Sequence, residues 1–168
     1  NDELNDDDLE AVIKSKEFAI LDVNQVKNDL KALQKHYEEK GFYLANIRYE
    51  LENLPNGNVN VVYRINEFEK VKVKKIIFLG NKTISDYQLK DIMETREESL
   101  MSGMNGSGNF KEFNFQTDLE RIKYFYKTKG HLQINLGAPD VTVSEDKRWV
   151  FITIKINEGP QFKINEIS

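Results

Sequence analysis

The stretch DLERIKYFYKTKGH at residues 118–131 has a near copy, DLKALQKHYEEKGF, at residues 29–42. An aspartate, two aliphatic residues, a tyrosine and a glycine recur in both copies, 89 positions apart. Within each copy the apolar residues step by three and four, which is typical of one face of a helix, and the glycine stands where that helix ends. The chain therefore carries the same amphipathic helix twice.

The same kind of β-hairpin follows each helix. After the first helix, apolar residues alternate with polar ones, PNGN at 55–58 predicts a turn, and a second alternating run ends in INE at 65–67. The second copy repeats this with a turn at SEDKR, 144–148, and ends in INE at 156–158. Pro139 lies in its outgoing strand and has no N–H to donate, so we expect that strand at an edge of the sheet.

The first half of the unit is read from residues 71–93, VKVKKIIFLGNKTISDYQLKDIM. Valine and isoleucine indicate a strand, Gly80 and the following asparagine a turn, and the remainder a short helix. The order is strand, helix, helix, strand, strand, which predicts an α+β fold. The expected helix N-caps are Ser85 or Asp86 for the short helix, Asp22 or Asn24 for the first long helix, and Asn114 for the second.

Further matches define the domain organisation. NDELNDDDL at 1–9 aligns with NKTISDYQL at 81–89, and GPQFKINEI at 159–167 aligns with FEKVKVKKI at 68–76. We therefore expect a unit lacking its first strand at residues 1–69, a complete unit at 70–158, and the first strand of a following unit at 159–168. Such an arrangement suggests an excised fragment, in which the tail of one molecule could complete the first sheet of another.

The second copy has nine extra residues between its helices, because the offset between the copies rises from 80 to 89. The insertion falls near SLMSGMNGSGNF at 99–110, whose glycines and serines predict a mobile loop. Met101 and Met104 are candidate residues of an adaptable contact surface. Methionines tucked into the core are the favoured alternative.

Composition narrows the function classes. The chain of 168 residues is 39% hydrophobic and 31% charged and contains no cysteine, which excludes disulfides, thiolate metal sites and thiol nucleophiles in this segment. No apolar run reaches the roughly 20 residues of a membrane helix. Residues 1–69 carry 15 acidic and 8 basic groups (net −7), and residues 70–168 carry 13 and 16 (net +3). Neither balance is typical of a nucleic-acid binder.

No reactive set converges in the sequence. His36 and His131 fall in different copies, where we expect exposed or half-packed residues at helix ends rather than a zinc site. Asp29 and Asp118 also belong to separate copies and are expected to be solvated helix charges. We therefore predict no catalytic residue, no metal ligand and no cofactor, and a protein that is not an enzyme.

With the repeat laid out, the chain resembles tandem POTRA domains, the periplasmic modules of outer-membrane protein assembly factors of the BamA type. The resemblance is carried by KKIIFLGN at 74–81, the helix pattern from Leu119 to Gly130, and INEGPQFKINEI at 156–167. It implies units in which two helices cover one face of a three-stranded mixed sheet, with the first and second strands at its edges. At the inter-unit joint the first copy departs from the pattern, with Phe68 where the second has Gly159.

The resemblance also implies a function. It indicates a periplasmic, chaperone-like polypeptide-binding scaffold of an outer-membrane protein in a Gram-negative bacterium, with further POTRA units and a C-terminal membrane β-barrel in the parent chain. The implied partners are unfolded outer-membrane β-barrel proteins and accessory assembly lipoproteins. An extended guest can join the unpaired edge of a unit's second strand by β-augmentation. The candidate edge residues are Tyr43, Ala45, Ile47 and Tyr49 in the first unit and Gln133, Ile134, Leu136 and Val141 in the second.

Three alternatives stay open. A cell-division scaffold of the FtsQ type also uses a POTRA unit, although the tandem array favours an assembly factor. The periplasmic region of a two-partner secretion or translocation transporter is another. RNA binding by a helix-and-sheet module is disfavoured by the acidic first unit and by strands without a clear pair of exposed stacking aromatics.

Overall fold

The computed structural model describes residues 4–99 and 108–167. The chain divides into two compact units, Asn1–Glu69 and Lys70–Ser168. The first unit contains helices α1 (Asp6–Glu10) and α2 (Val23–Glu39) and strands β1 (Asn46–Asn53) and β2 (Val59–Asn66). The second contains β3 (Lys72–Leu79), α3 (Asp86–Ile92), α4 (Glu112–Thr128), β4 (Asn135–Leu136), β5 (Asp140–Val143) and β6 (Trp149–Asn157). In the described part of the chain, no helix has the length and apolar character needed to cross a membrane.

The first unit is a hairpin with helices on one face. Strands β1 and β2 pair antiparallel over their full length, with Asn46 opposite Asn66. Because side chains alternate between the two faces of a strand, one face of the hairpin meets α2 and the other meets solvent. The buried core consists of Leu4, Leu9, Leu33, Tyr37, Phe42, Ala45 and Ile47.

The second unit contains a mixed sheet whose central strand is β6. Strand β3 pairs with β6 in parallel, while β4 and β5 pair with it antiparallel. The inner residues of β6, including Ile152 and Ile154, are fully buried, as are Leu89 of α3 and Ile122 of α4. The unit's third strand thus lies between its first and second, and the predicted α+β fold is confirmed.

The starts of the long helices differ between the units. The Asp22 side chain caps α2 by accepting hydrogen bonds from the N–H groups of Asn24 (2.9 Å) and Gln25 (3.3 Å), as predicted. Helix α4 has Lys111 as its N-cap, without a side-chain hydrogen bond. The prediction of Asn114 as the cap was wrong, because the helix begins two residues earlier and the Asn114 amide donates to Glu94 instead (2.8 Å).

The short helix α3 starts as predicted. The Ser85 hydroxyl accepts a hydrogen bond from the N–H of Gln88, and the Gln88 side chain accepts one from the N–H of Ser85, which completes a capping box. The two long helices also end as predicted, with Gly41 at φ +94° and Gly130 at φ +88°. At these angles a side chain is strained, which explains why glycine recurs.

A bulge splits the outgoing strand of the second unit. The N–H of Gly137 donates to the carbonyl of Lys155 (2.9 Å), whereas Asp140 lies opposite Thr153. On β6 a single residue, Ile154, lies between Thr153 and Lys155, and two residues, Ala138 and Pro139, stand opposite it. This arrangement is a β-bulge. Pro139 lies on an edge strand, as predicted.

Described residues on both sides of the gap at 100–107 bind the outer edge of β3 near its start. The N–H of Glu98 donates to the carbonyl of Val73, and the N–H of Val73 donates to the carbonyl of Gly108, both at 2.8 Å. The N–H of Phe110 donates to the carbonyl of Val71 at the same distance. Met101 and Met104, the predicted contact residues, lie outside the described residues. Residues 160–167 contain no helix or strand, so their role as the first strand of a following unit stays a prediction.

Candidate strand-addition edges

The outer edge of β1 presents a row of backbone groups that β2 does not use. Next to the turn, the N–H of Leu54 donates to the carbonyl of Asn58 (2.8 Å), which marks a hydrogen-bonded pair of the ladder. Such pairs alternate along an antiparallel ladder, so the N–H and C=O groups of Ile47, Tyr49 and Leu51 point away from β2. Among the described residues no strand pairs with this edge.

Two of the four residues predicted on this edge lie within the strand. Ile47 and Tyr49 belong to β1, and the edge continues to Leu51 beyond them. Tyr43 and Ala45 precede the strand in the turn after α2, where the N–H of Ala45 donates to the carbonyl of Phe42 (3.0 Å).

The corresponding edge of the second unit is interrupted. The N–H of Ser144 donates to the carbonyl of Trp149 (2.9 Å), and alternation from that pair points the backbone groups of Val141 outward. Leu136 points outward on β4, since its neighbour Gly137 bonds to β6. Between them lies the bulge with Pro139. Of the remaining predicted residues, Gln133 and Ile134 lie in the turn before β4.

The two edges therefore offer a guest strand different surfaces. Strand β1 has eight residues in unbroken register with β2, whereas the second unit presents pieces of two and four residues. A bulge twists an edge, and a proline removes a donor, so both features oppose edge-to-edge pairing. The β1 edge is the better acceptor.

The side chains along β1 set the character of a matching guest. On the helix side Ile47 is buried, Tyr49 is half-buried and Leu51 is 41% exposed. On the solvent side Glu50 forms ion pairs with Arg64 (2.6 Å) and Arg48 (3.6 Å). A strand added here would continue an apolar face and a charged face, which requires alternating apolar and polar residues.

The repeated aspartates hold the connection between the helices rather than facing solvent. The carboxylate of Asp29 is 1% exposed and accepts hydrogen bonds from the N–H groups of Lys14 and Ser15 (both 2.9 Å) and from the Gln25 amide (2.7 Å). Burial alone would raise the pKa of Asp29, but these bonds and one from the Ser15 hydroxyl outweigh it and hold the pKa below its usual value.

Asp118 performs the same task in the second unit. It is fully buried and accepts hydrogen bonds from the N–H groups of Glu94 and Thr95 (both 2.8 Å) and from Arg121 (2.7 Å). The prediction of solvated helix charges was therefore wrong for both aspartates. The missed signal was their repetition, because a connection with unpaired N–H groups needs a buried acceptor at a fixed place.

The repeated tyrosine and the INE tripeptide are explained by a second buried carboxylate. In the second unit Glu158 accepts hydrogen bonds from the Tyr126 hydroxyl (3.1 Å) and the N–H groups of Lys82 (2.8 Å) and Thr83 (2.9 Å). In the first unit the hydroxyl of Tyr37 donates to Glu67 (2.9 Å). Burial alone would raise the pKa of Glu158, but the bonds from Thr83, Lys82 and Tyr126 lower it overall.

The two histidines belong to different units and have different surroundings. His36 is half-buried, as expected. His131 is only 2% exposed, with Nε2 3.2 Å from the Thr83 hydroxyl and Nδ1 3.3 Å from the carbonyl of Gly159, so the expectation of an exposed or half-packed residue was wrong for it. Residues 4–99 and 108–167 contain no group of three or more side chains that could hold a metal ion.

The two predicted joint residues share an unusual backbone conformation. Gly159 has φ +63° and Phe68 has φ +53°, although only glycine adopts that region without strain. The segment after Gly159 returns to the end of α4, where the N–H of Phe162 donates to the carbonyl of Gly130 (2.9 Å).

Comparison with known proteins identifies the family. Residues 1–67 and 71–159 match the POTRA family model, described as a surface antigen variable number repeat. The chain belongs to the POTRA family. This confirms the resemblance stated from the sequence and explains why helix, hairpin and closing tripeptide recur together.

The curated relatives are named outer membrane protein assembly factors. The chain is 27% identical over 168 residues to the outer membrane protein assembly factor BamA of Nitratidesulfovibrio vulgaris, covering 99% of this chain and 21% of the relative. It is 27% identical over 136 residues to BamA of Neisseria meningitidis, covering 81% of this chain and 17% of the relative. The chain thus spans about a fifth of the length of these relatives.

Solved POTRA structures share the fold. POTRA domains 3–5 of Haemophilus influenzae BamA match with a TM-score of 0.60 at 15% identity, covering 96% of this chain and 63% of that one. POTRA domains 1–2 of the periplasmic domain of Omp85 from Anabaena match with a TM-score of 0.56 at 18% identity, covering 90% and 83%. At these identities the likeness establishes the tandem POTRA fold.

Proposed function

We propose that this chain is part of a periplasmic scaffold that assembles outer-membrane proteins, and that the β1 edge binds extended segments of unfolded outer-membrane β-barrel proteins or of accessory assembly lipoproteins by β-augmentation. The observation that carries the proposal is the unbroken row of outward-facing backbone groups at Ile47, Tyr49 and Leu51. The parent chain would continue into further POTRA units and a membrane β-barrel.

The relatives support this setting. The curated relatives are named outer membrane protein assembly factors, and one similar solved structure is described as the periplasmic domain of Omp85. A periplasmic scaffold attached to an outer-membrane protein fits both descriptions. The proposed role is binding rather than catalysis.

Binding through the backbone suits clients that share a conformation but no sequence motif. Main-chain hydrogen bonds supply affinity to any extended segment, and side-chain pockets add selectivity at alternate positions. The β1 edge provides both, since its helix side is apolar at Ile47 and Leu51 and its solvent side is charged at Glu50. Strands of membrane β-barrels alternate apolar and polar residues in the same way.

Proline substitution at an outward-facing position tests the proposal. In Leu51→Pro the lost N–H points away from β2, so the hairpin ladder keeps its hydrogen bonds while the edge loses a donor. The probe is a fluorescein-labelled ten-residue peptide alternating valine with threonine or lysine, titrated by fluorescence anisotropy. We expect Leu51→Pro to weaken binding at least tenfold.

The matched control is Val141→Pro, an outward position on the interrupted edge of the second unit, for which we expect less than a twofold change. A second probe is the same peptide N-methylated at every residue, which lacks backbone donors on both edges and should not bind. Unchanged affinity for Leu51→Pro, with unchanged far-UV circular dichroism, would show that the β1 edge is not the binding site.

A further inference from the structure

The sheet of the second unit carries an apolar surface on the face opposite its helices. We define the outer patch as Ile77 and Leu79 on β3 and Trp149 and Phe151 on β6. Ile77, Leu79 and Phe151 are 40%, 48% and 41% exposed, and Trp149 is half-buried.

The register brings these side chains together on adjacent strands. Ile77 lies beside Thr153, which follows Phe151 on the same face of β6, and Leu79 lies one step further along β3. Phe151 and Ile77 are therefore diagonal neighbours on strands about 4.8 Å apart, with Thr153 and Lys75 beside them. The interleaving residues, such as Ile76 and Ile152, point the other way and are buried beneath the helices.

The first unit shows that the fold does not require this apolar surface. Its solvent-facing sheet residues include Arg48, Glu50, Glu52 and Arg64, which are joined by ion pairs of 2.6–3.9 Å. At the corresponding positions of the second unit, 91 residues later, Trp149 and Phe151 stand where the first unit has Asn58 and Asn60. The second unit exposes aromatic side chains where the first unit has polar ones. This difference indicates that the sheet face binds a partner in the second unit only.

Lysines stand at both ends of the outer patch. At one end the Lys74 ammonium lies 4.3 Å from the centroid of the Trp149 ring, and Lys75 lies beside Phe151 in the register. At the other end Lys155 lies opposite Leu79. The second unit has a net charge of +3, from 16 basic and 13 acidic groups in residues 70–168.

Carboxylates also border this face, and one of them, Glu98, forms an ion pair with Lys72 beside Trp149. Asp140 pairs with Thr153 in the register, and Glu97 lies 4.0 Å from Lys75 while also accepting a hydrogen bond from Lys90. Lys74 and Lys155 carry no carboxylate partner among the ion pairs of the described residues. The charge around the outer patch is therefore complementary to an acidic partner.

From these observations we infer that the outer patch docks an amphipathic helix of a partner protein, with carboxylates flanking its apolar stripe. On the inner face of the same sheet, helices cover the alternating apolar residues Val150, Ile152 and Ile154. An apolar face of this sheet can therefore pack against a helix. A helix presents apolar residues at spacings of three and four and carries acidic residues beside them, within reach of Lys75 and Lys155. This site is separate from the β1 edge and uses side chains rather than backbone groups.

The test uses the whole chain, labelled with ¹⁵N, and two synthetic helical peptides of 18 residues. Both peptides have the same leucine stripe; one has glutamate at the flanking positions and the other has lysine. We expect the glutamate peptide to bind at least tenfold more tightly and to shift the amide signals of Phe151, Thr153 and Ile77, with no shifts along β1. A third probe, vesicles containing phosphatidylglycerol, tests a lipid surface as the source of the anionic partner.

Variants of the outer patch complete the experiment. Ile77→Thr combined with Phe151→Thr keeps β-propensity and should reduce glutamate-peptide binding at least tenfold, while Val62→Thr on the solvent face of the first unit should change it less than twofold. Lys75→Glu combined with Lys155→Glu should abolish the preference for glutamate over lysine without altering the core.

The outcomes separate this site from the β1 edge. Leu51→Pro should leave helical-peptide binding unchanged, and the outer-patch variants should leave binding of the extended peptide unchanged. The inference would be overturned if the two helical peptides bound equally, or if vesicles bound and the glutamate peptide did not. Retained binding in both double variants would also overturn it.

Discussion

The two units hold their helices and sheet together with equivalent carboxylates but differ in the sheets that they form. Both use a buried aspartate on the long helix to hold the connection between helices, and both join a helix tyrosine to a glutamate after the last strand. In the second unit Glu158 accepts hydrogen bonds from the turn after β3, and Glu98 and Gly108 bind the β3 edge at Val73. The first unit shows only a two-stranded sheet among its described residues.

Each unit can interact with a guest through a different surface. The first unit combines a continuous β1 edge with a charged solvent face, which suits an extended guest bound through its backbone. The second has a bulged edge containing Pro139 and an apolar outer face, which suits a guest bound through its side chains. Repeats of one fold thus present two chemically different surfaces.

The largest expected effect concerns the buried glutamate. Glu158→Ala leaves the Tyr126 hydroxyl and the N–H groups of Lys82 and Thr83 without their acceptor and should destabilise the second unit by about 3 kcal/mol. Glu67→Ala in the half-buried equivalent should cost the first unit about 1 kcal/mol. Urea unfolding is followed by Trp149 fluorescence for the second unit, which holds the chain's only tryptophan, and by far-UV circular dichroism for both units. Equal losses would contradict the difference between the units.

The same glutamate should link stability to pH. Because the pKa of Glu158 is lowered in the folded state from its usual 4.5, its contribution is fully present above that value and is lost as the pH falls through the folded pKa. We expect the free energy of unfolding of the second unit to fall below about pH 4.5. Glu158→Gln should flatten this dependence when unfolding is measured at a series of acidic pH values, and an unaltered slope would refute the assignment.

A smaller effect is expected where the chain leaves the second unit. Gly130→Ala places a Cβ 2.6 Å from the carbonyl oxygen of Phe162 at a φ of +88°. We expect a loss of about 2 kcal/mol, from backbone strain and displacement of the following segment. Gly57→Ala is the control, since it has φ +82° and open space around the new Cβ and should cost only about 1 kcal/mol. Calorimetry of both variants would show whether the contact with Phe162 matters.

The smallest expected effect is a gain in the stability of the second unit. Lys111 occupies the N-cap of α4 at the position equivalent to Asp22, 89 residues earlier, but forms no side-chain hydrogen bond. Lys111→Asp should stabilise the second unit by about 1 kcal/mol, and Asp22→Ala should destabilise the first by a similar amount. Thermal unfolding of the two variants measures both changes. A loss of stability in Lys111→Asp would contradict the view that positions 22 and 111 are equivalent N-caps.

Much of the fold was readable because the sequence repeats. Helix periodicity, the glycines at positions 41 and 130, and the alternating hairpins depend on local geometry, so they predicted the elements correctly. The starts of the elements were less accurate. Strand β1 begins after Tyr43 and Ala45, and α4 begins before Asn114, because pairing and capping partners set those ends.

The order of elements, the tandem POTRA organisation and the edge position of Pro139 could be predicted from the sequence, since each follows from local periodicity or from a missing backbone donor. Which polar residues are buried, and which backbone groups face outward, depends on the tertiary structure. Asp29, Asp118 and His131 were expected near solvent, yet all three are buried. Their hydrogen-bond partners include N–H and C=O groups far along the chain. The outward row on β1 and the bulge in the second unit depend on cross-strand register, which no single strand encodes.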